Sequence, residues 1–177
     1  KRYQPELENA IIFEVFGKLL LGDEKGLELA RNVHDRYPNS ALATSLYIQA
    51  ASLKTPLTEL EKAAQSAPTD SPDVMYSLAT AFYDHGEFGR AKAMSHQILE
   101  IASDFVEAKT LWAASVIQQC QDSWGNLTDE ERGELIQARD SLANIIAAMD
   151  AASQPSHRAH QLINLAAAKR LLGDDAG

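Results

Sequence analysis

The side chains in this sequence that could do chemistry are few, and the clearest are two histidines and one cysteine. His157 and His160 stand three residues apart in the segment SHRAHQ, so a helix would place both on one face. A zinc-type metal site needs further ligands at suitable spacing, and none is evident in the sequence. Cys120 ends a predicted helix, where a free thiol is typically a small packing residue. We therefore expect no metal, no cofactor and no catalytic residue.

Two further motifs have structural explanations. The segment NLT at 126–128 matches the acceptor pattern for N-glycosylation, but Thr128 with Glu131 also makes the capping box that begins a helix. Asp129 and Glu130 fall in the first turn of that helix, where carboxylates complement the helix dipole. No glycine-rich phosphate loop, HExxH or GxSxG motif occurs in the sequence. We expect that the chain is not an enzyme.

Composition and charge narrow the class of protein. The chain has 177 residues and 45% hydrophobic content, enough for one domain with a sizeable core. Residues that favour helices predominate over those that favour strands. The formal net charge of -9 would repel a phosphate backbone, so we expect no nucleic-acid partner. No apolar run approaches the ~18 residues of a membrane span, so we expect no direct membrane insertion.

Two features of the sequence bear on the location of the protein. The sequence begins at Lys1 and shows no signal peptide, and its single cysteine allows no internal disulfide and leaves the redox compartment open. We expect a cytoplasmic protein. The alternative is a soluble domain of a periplasmic or membrane-anchored protein whose N-terminus is absent from this sequence.

Helical spacing of apolar residues runs along the whole chain and predicts about nine helices joined by short turns. Gly22 and Gly173 mark two predicted helix ends. The predicted helix starts are marked by capping residues: Asp23, Asn39 or Ser40, Thr55 before Pro56, Ser71 before Pro72, Asp104, Thr128 and Ser153 before Pro155. The predicted fold class is all-α, built of antiparallel helical hairpins.

One segment has the features of a structural repeat. Its large and small residues follow a regular order: Met75, Leu78, Ala79, Phe82, Gly86, Phe88, Ala91, Ser95 and Ile98. Ala79 and Ala91 would let two helices cross closely, and Gly86 would turn the backbone with positive φ just past a helix end. The segment 72–105 resembles one unit of the tetratricopeptide repeat family, whose period is about 34 residues.

Neighbouring segments resemble degenerate units of the same family. The first lacks the small residue at the close crossing, and the last contains a long polar connection, QQCQDSWGNLTDEERGEL. The resemblance implies one domain over 1–177, an α-solenoid whose hairpins stack into a right-handed superhelix. The predicted hairpins are 6–38, 39–68, 71–103 and 104–152, followed by a C-terminal capping helix over 154–172.

The resemblance also implies a function, a protein–protein interaction scaffold whose concave groove binds a peptide or helix. The groove would be lined by the exposed inner face of the first helix of each hairpin. Its predicted residues are Asp73, Tyr76, Thr80, Tyr83 and Asp84 in the best unit, Glu107, Thr110, Ala114, Ile117 and Gln118 in the next, and Leu42, Ser45, Gln49 and Ser52 in the preceding one.

The groove residues predict the chemistry of the partner. Acidic residues around two tyrosines favour an apolar segment with Lys or Arg at its edges. Members of the family that clamp a chaperone's C-terminal carboxylate use Lys, Arg and Asn on these faces, and this sequence lacks those cations there. We therefore do not predict a chaperone-tail adaptor.

Three alternatives stay open at this point. Tyr76 and Tyr83 could pack on neighbouring hairpins instead of facing a partner. The chain could be a regulatory or substrate-presenting domain excised from a larger enzyme or regulator, since it does not begin with methionine. It could also be a self-assembling scaffold, a homo-oligomer, because open solenoid ends can stack.

Overall fold

The computed structural model describes residues 15, 17–18, 25–68, 70–149 and 155–174, with the side chains of the last segment described from Arg158 onward. All the regular secondary structure of this part is α-helical, which confirms the predicted all-α class. The Gly22 helix end and the Asp23 and Ser153 caps lie outside the described residues. Eight helices have described bounds: α1 (Lys25–Arg36), α2 (Ala41–Ala51), α3 (Leu57–Ala64), α4 (Pro72–Asp84), α5 (Phe88–Ile101), α6 (Val106–Cys120), α7 (Asp129–Ala148) and α8 (Pro155–Leu172).

Two predicted N-caps are confirmed with their hydrogen bonds. The backbone N–H of Ala43 donates to Ser40 Oγ at 3.2 Å and begins α2. At α7 the N–H of Glu131 donates to Thr128 Oγ1 at 3.2 Å, and the N–H of Thr128 donates to Glu131 Oε2 at 2.8 Å. This capping box, chiefly through the Thr128 backbone N–H, lowers the pKa of Glu131.

Two other predicted starts are shifted along the chain. α3 begins one residue later than predicted, with Pro56 and not Thr55 at the cap position. α6 has Phe105 and not Asp104 at its cap position, without a side-chain capping bond. Phe105 is half-buried there, and burying part of a phenyl ring is worth as much as the ~1 kcal/mol of a polar cap.

Two helices end at a glycine, as predicted, and both glycines have positive φ. Gly86 lies just past the end of α4 with φ 79°, and Gly173 follows α8 with φ 77°. Only glycine adopts this left-handed conformation without a steric penalty from Cβ. The prediction of positive φ at Gly86 is confirmed.

The chain divides into two compact units, Lys1–His85 and Gly86–Gly177. In the first unit α2 packs against α1, α3 and α4, and α3 also packs against α4. In the second unit α6 packs against α5, α7 and α8, and α7 also packs against α8. The boundary falls inside the predicted hairpin 71–103, so α4 and α5 belong to different units. The single domain stays a prediction.

Each unit has an apolar core between its helices. In the first unit the core joins α1 and α2 through Ala30, Val33, Ala43 and Leu46, together with Val15. In the second unit the core joins α6, α7 and α8: Ala113, Val116, Ile117, Cys120, Leu135, Ala138, Leu142, Ala168 and Leu171, with Trp112 packed against it.

Cys120 belongs to the core of the second unit and is 1% exposed. Burial, with smaller contributions from the nearby carboxylates of Glu131 and Glu134, raises the pKa of its thiol to about 11. A thiol that stays protonated and buried is a poor nucleophile. The prediction of a packing cysteine is confirmed.

Candidate functional site

In the first unit, α2 and α4 lie side by side and are joined by side chains at a constant offset in the sequence. Ser45 Oγ lies 3.0 Å from Ser77 Oγ, and Ser52 Oγ donates to Asp84 Oδ2 at 2.6 Å; both pairs are 32 residues apart. The first pair lies near the middle of the two helices and the second at their C-terminal ends. Because the offset is the same at both places, α2 and α4 run parallel and in register.

We call the polar contact between these helices the α2–α4 seam; it consists of Ser45, Gln49, Ser52, Ser77, Asp84 and His85. Gln49 Nε2 donates to Ser77 Oγ at 2.9 Å and to Ser45 Oγ at 3.3 Å. Ser77 Oγ donates in turn to the carbonyl oxygen of Asp73 at 2.8 Å. The seam therefore satisfies the hydroxyls of two buried serines, as buried polar groups require.

Ser52, Asp84 and His85 have the residue types of a nucleophile relay, but their geometry is different. The Ser52 hydroxyl donates directly to the Asp84 carboxylate, while His85 Nε2 lies 2.6 Å from the Ser52 carbonyl oxygen. A relay needs the imidazole on the hydroxyl and the carboxylate behind the imidazole. These two hydrogen bonds instead hold the C-terminal ends of α2 and α4 together.

The predicted groove residues of α4 form a partly accessible surface. Asp73 and Asp84 are exposed, while Tyr76, Thr80 and Tyr83 are half-buried. Thr80 Oγ1 donates to the Tyr76 carbonyl oxygen at 2.9 Å, which fixes its rotamer.

On α2, the four predicted groove residues divide between surface and seam. Leu42 is 49% exposed and Gln49 is also exposed, so both can be reached from solvent. Ser45 and Ser52 are buried, and the expectation that they face solvent is wrong. The reason is the parallel neighbour: the hydroxyls are turned toward α4 and not outward.

Two of the five predicted groove residues of α6 are buried. Glu107 is exposed and Thr110 and Gln118 are half-buried, but Ala114 is 8% exposed and Ile117 is 2% exposed. The expectation that Ala114 and Ile117 are exposed is wrong, because α6 packs against three helices of its unit. Ile117 is part of the core with α7 and α8.

Parallel pairing of alternate helices occurs again in the second unit. Gln161 Nε2 of α8 donates to Thr110 Oγ1 at 3.0 Å, in the N-terminal halves of α8 and α6. At the other end, the guanidinium carbon of Arg170, in the last turn of α8, lies 5.1 Å from the ring centroid of Trp124, four residues past the end of α6. α8 therefore runs parallel to α6, as α4 runs parallel to α2.

A buried histidine between α1 and α2 was not predicted as a special residue. His34 Nδ1 lies 3.1 Å from Thr44 Oγ1, and its ring stacks on Tyr47 with 5.2 Å between centroids. Desolvation lowers the pKa of His34. The available signal was its position next to Val33, inside an apolar stripe of α1.

Comparison with known proteins gives no match among protein-family models, curated proteins or solved structures. Among the described residues, no group of three or more His, Cys, Asp and Glu side chains could hold a metal ion. No helix in the described part of the chain has the length and apolar character needed to cross a membrane.

Proposed function

We propose that this chain is a non-enzymatic protein-interaction module, built of tetratricopeptide-like hairpins, that binds a peptide or helix of a partner protein. The observation that carries the proposal is the parallel pairing of alternate helices, α2 with α4 and α6 with α8. Stacked helical hairpins place equivalent helices beside each other in this way. Repeats of this kind use the row of first helices as a binding surface.

The binding surface that we propose consists of Leu42, Gln49, Asp73, Tyr76, Thr80 and Tyr83 on α2 and α4. Half-buried tyrosines suit this role because each has its rotamers limited by packing and still offers a large contact area. The amide nitrogen of Gln49 donates to the hydroxyls of the α2–α4 seam. Its amide oxygen is then oriented to accept an N–H of an extended partner segment.

The acidic charge of this surface indicates which residues should lie at the ends of the partner segment. Asp73 is exposed on this surface, and the chain as a whole carries a formal net charge of -9. Lys or Arg at the ends of a short apolar segment would be attracted to the surface, which speeds association and excludes acidic segments. The exposed Glu107 of α6 would have the same preference in the second unit.

The test is a selection of displayed peptides on the whole chain. Enriched peptides should be apolar with Lys or Arg at their edges, and a synthesised example should bind the wild-type chain. The double variant Tyr76→Ala/Tyr83→Ala should weaken that binding by about tenfold or more. Tyr37→Ala is the matched control, since it truncates another half-buried tyrosine of the same unit.

Thermal unfolding of all variants separates binding from folding. Loss of binding in the double variant, with its melting temperature no lower than that of Tyr37→Ala, supports the proposed surface. Undiminished binding in the double variant, or no enriched class of peptide, contradicts it. A melting temperature far below that of Tyr37→Ala shows that the two tyrosines are core and not site.

A further inference from the structure

α8 carries a second apolar face on the side away from its own unit's core. As a capping helix of a repeat array, it is expected to turn a polar face to solvent. Instead, Leu162 is 46% exposed and Ile163 is 65% exposed. This face is therefore unlike the outer face of a cap.

The buried face and the exposed apolar face of α8 lie on opposite sides of the helix. Gln161, Ala168 and Leu171 are buried against α6 and α7. The exposed set Ala159, Leu162, Ile163 and Ala166 follows the spacing of one helix face and lies on the opposite side. Counting Lys169 and Arg170, which extend it by one turn, it covers an arc of about 120°. We call these six residues the α8 outer face.

The charge of this helix is opposite to that of the chain. α8 contains no Asp or Glu, whereas the whole chain has a formal net charge of -9. Lys169 and Arg170 are both exposed at the end of the apolar stripe. Arg170 also lies over the ring of Trp124, which is 60% exposed and adds apolar area beside the stripe.

Besides Lys169 and Arg170, α8 contains one more arginine, Arg158, which has a structural role. Arg158 Nη1 donates to the carbonyl oxygens of Ile146 and Met149 at 3.2 Å and 3.1 Å. It thus satisfies carbonyl groups at the C-terminal end of α7 and holds α8 against it. The cations offered outward are therefore Lys169 and Arg170.

We propose that the α8 outer face docks an amphipathic helix whose apolar stripe ends in Asp or Glu. Apolar side chains at i, i+3, i+4 and i+7 are what a helix-to-helix contact needs, and the two cations select an acidic partner. A second copy of the chain fits less well. A symmetric pair of α8 helices would place one cationic helix against another.

This surface has no residue in common with the one on α2 and α4, so each proposal can fail without the other. The experiment uses the whole chain and a displayed library of amphipathic helices. The library keeps an apolar stripe of Leu and Ala, and the positions flanking the stripe vary among Glu, Gln and Lys. The result expected is enrichment of Glu at the flanking positions. No enrichment, or enrichment of Lys, contradicts the proposal.

Variants then locate the bound helix. Ile163→Asp should weaken binding of an enriched Glu peptide by about tenfold or more. Ile101→Asp is the matched control, because Ile101 of α5 is 55% exposed and Ile163 is 65% exposed. Lys169→Glu/Arg170→Glu should reverse the preference, so that the Lys twin of the peptide binds better than the Glu peptide.

Two outcomes would overturn the assignment. One is equal weakening by Ile163→Asp and Ile101→Asp, which would place the helix elsewhere. The other is a dimer of the free chain, seen by light scattering, that Ile163→Asp converts to a monomer; the face would then be an interface between copies. Melting curves of Ile163→Asp and Ile101→Asp should coincide with that of the wild-type chain, since both substituted isoleucines are exposed.

Discussion

Gly86 and Gly133 are two glycines with different backbone conformations, so the same substitution at each should have opposite effects on stability. Gly86 has φ 79° just past α4, and Gly133 lies inside α7; a Cβ would meet no described atom within 4 Å at either. A side chain at Gly86 is strained by its left-handed backbone alone. At Gly133 an alanine would remove the flexibility of glycine from a helix interior.

Gly86→Ala should therefore lower the free energy of unfolding by about 1–2 kcal/mol. Gly133→Ala should raise it by about 0.5–1 kcal/mol. Urea unfolding of the two variants and the wild-type chain measures both changes. Equal effects of the same sign at the two positions would be inconsistent with this backbone assignment.

His34 gives the fold a dependence on pH. In the unfolded chain its pKa is near the ordinary 6.5, while burial lowers the pKa in the folded chain. Between the two values the unfolded chain binds more protons, so acid favours unfolding. The contribution of His34 to stability is complete above about pH 7 and falls as pH drops through 6.5 toward the lowered pKa.

The measurement is the free energy of unfolding of the wild-type chain and of His34→Gln at pH 8 and at pH 5. The wild-type chain should lose more stability than the variant over this range. Glutamine keeps a polar partner for the buried Thr44 hydroxyl. The same loss in both proteins would show that His34 does not carry this dependence.

At the scale of single helices, two caps allow a comparison of side-chain chemistry. Thr128 has a complete capping box at α7, whereas Ser71 at α4 makes no side-chain capping bond. Thr128→Ala should lower the free energy of unfolding by about 1 kcal/mol. Ser71→Ala should change it much less, and denaturant unfolding measures both. Similar losses from the two substitutions would argue against the observed cap geometry.

Helix positions could be predicted from the sequence because their signals are local. Ser40, Thr128, Gly86 and Gly173 each act within a few residues, through capping bonds or a left-handed backbone. The shifted start at α6 shows the limit of such signals. There the half-buried ring of Phe105 takes the cap position, and its burial depends on the tertiary structure.

The direction of side chains could be predicted less well, because it depends on how many neighbours a helix has. The resemblance to the repeat family predicts an exposed groove face on α6, but all five residues from Ala113 to Ile117 are buried. A helix with small or apolar residues on all its sides is typically buried. That signal was present in the segment AASVI and opposes an exposed Ala114 and Ile117.

At the scale of the whole molecule, both units use the same arrangement of helices. In each, one central helix packs against its sequence neighbours and against the helix next but one, and the latter runs parallel to it. The α2–α4 seam could not be predicted from the sequence. Ser45 is expected on the exposed groove face, and no local signal indicates that a parallel helix brings the Ser77 hydroxyl to 3.0 Å from its own.

The parallel pairing of α2 and α4 is the central claim, because the proposed function depends on it. Pairs of introduced cysteines test it directly. Ser45→Cys/Ser77→Cys is the in-register pair, and Ser45→Cys/Asp84→Cys is its crossed control. Positions 77 and 84 differ by about 10 Å along a helix, more than a disulfide can span.

Cys120 can stay in place for this measurement, since it is buried and its thiol pKa is raised to about 11. After mild oxidation, the disulfide is detected by non-reducing electrophoresis and mass spectrometry of the digested chain. The account predicts rapid and nearly complete bridging of 45 with 77 and none of 45 with 84. Bridging of 45 with 84 in place of 45 with 77 would mean that α2 and α4 are antiparallel, and would contradict the account.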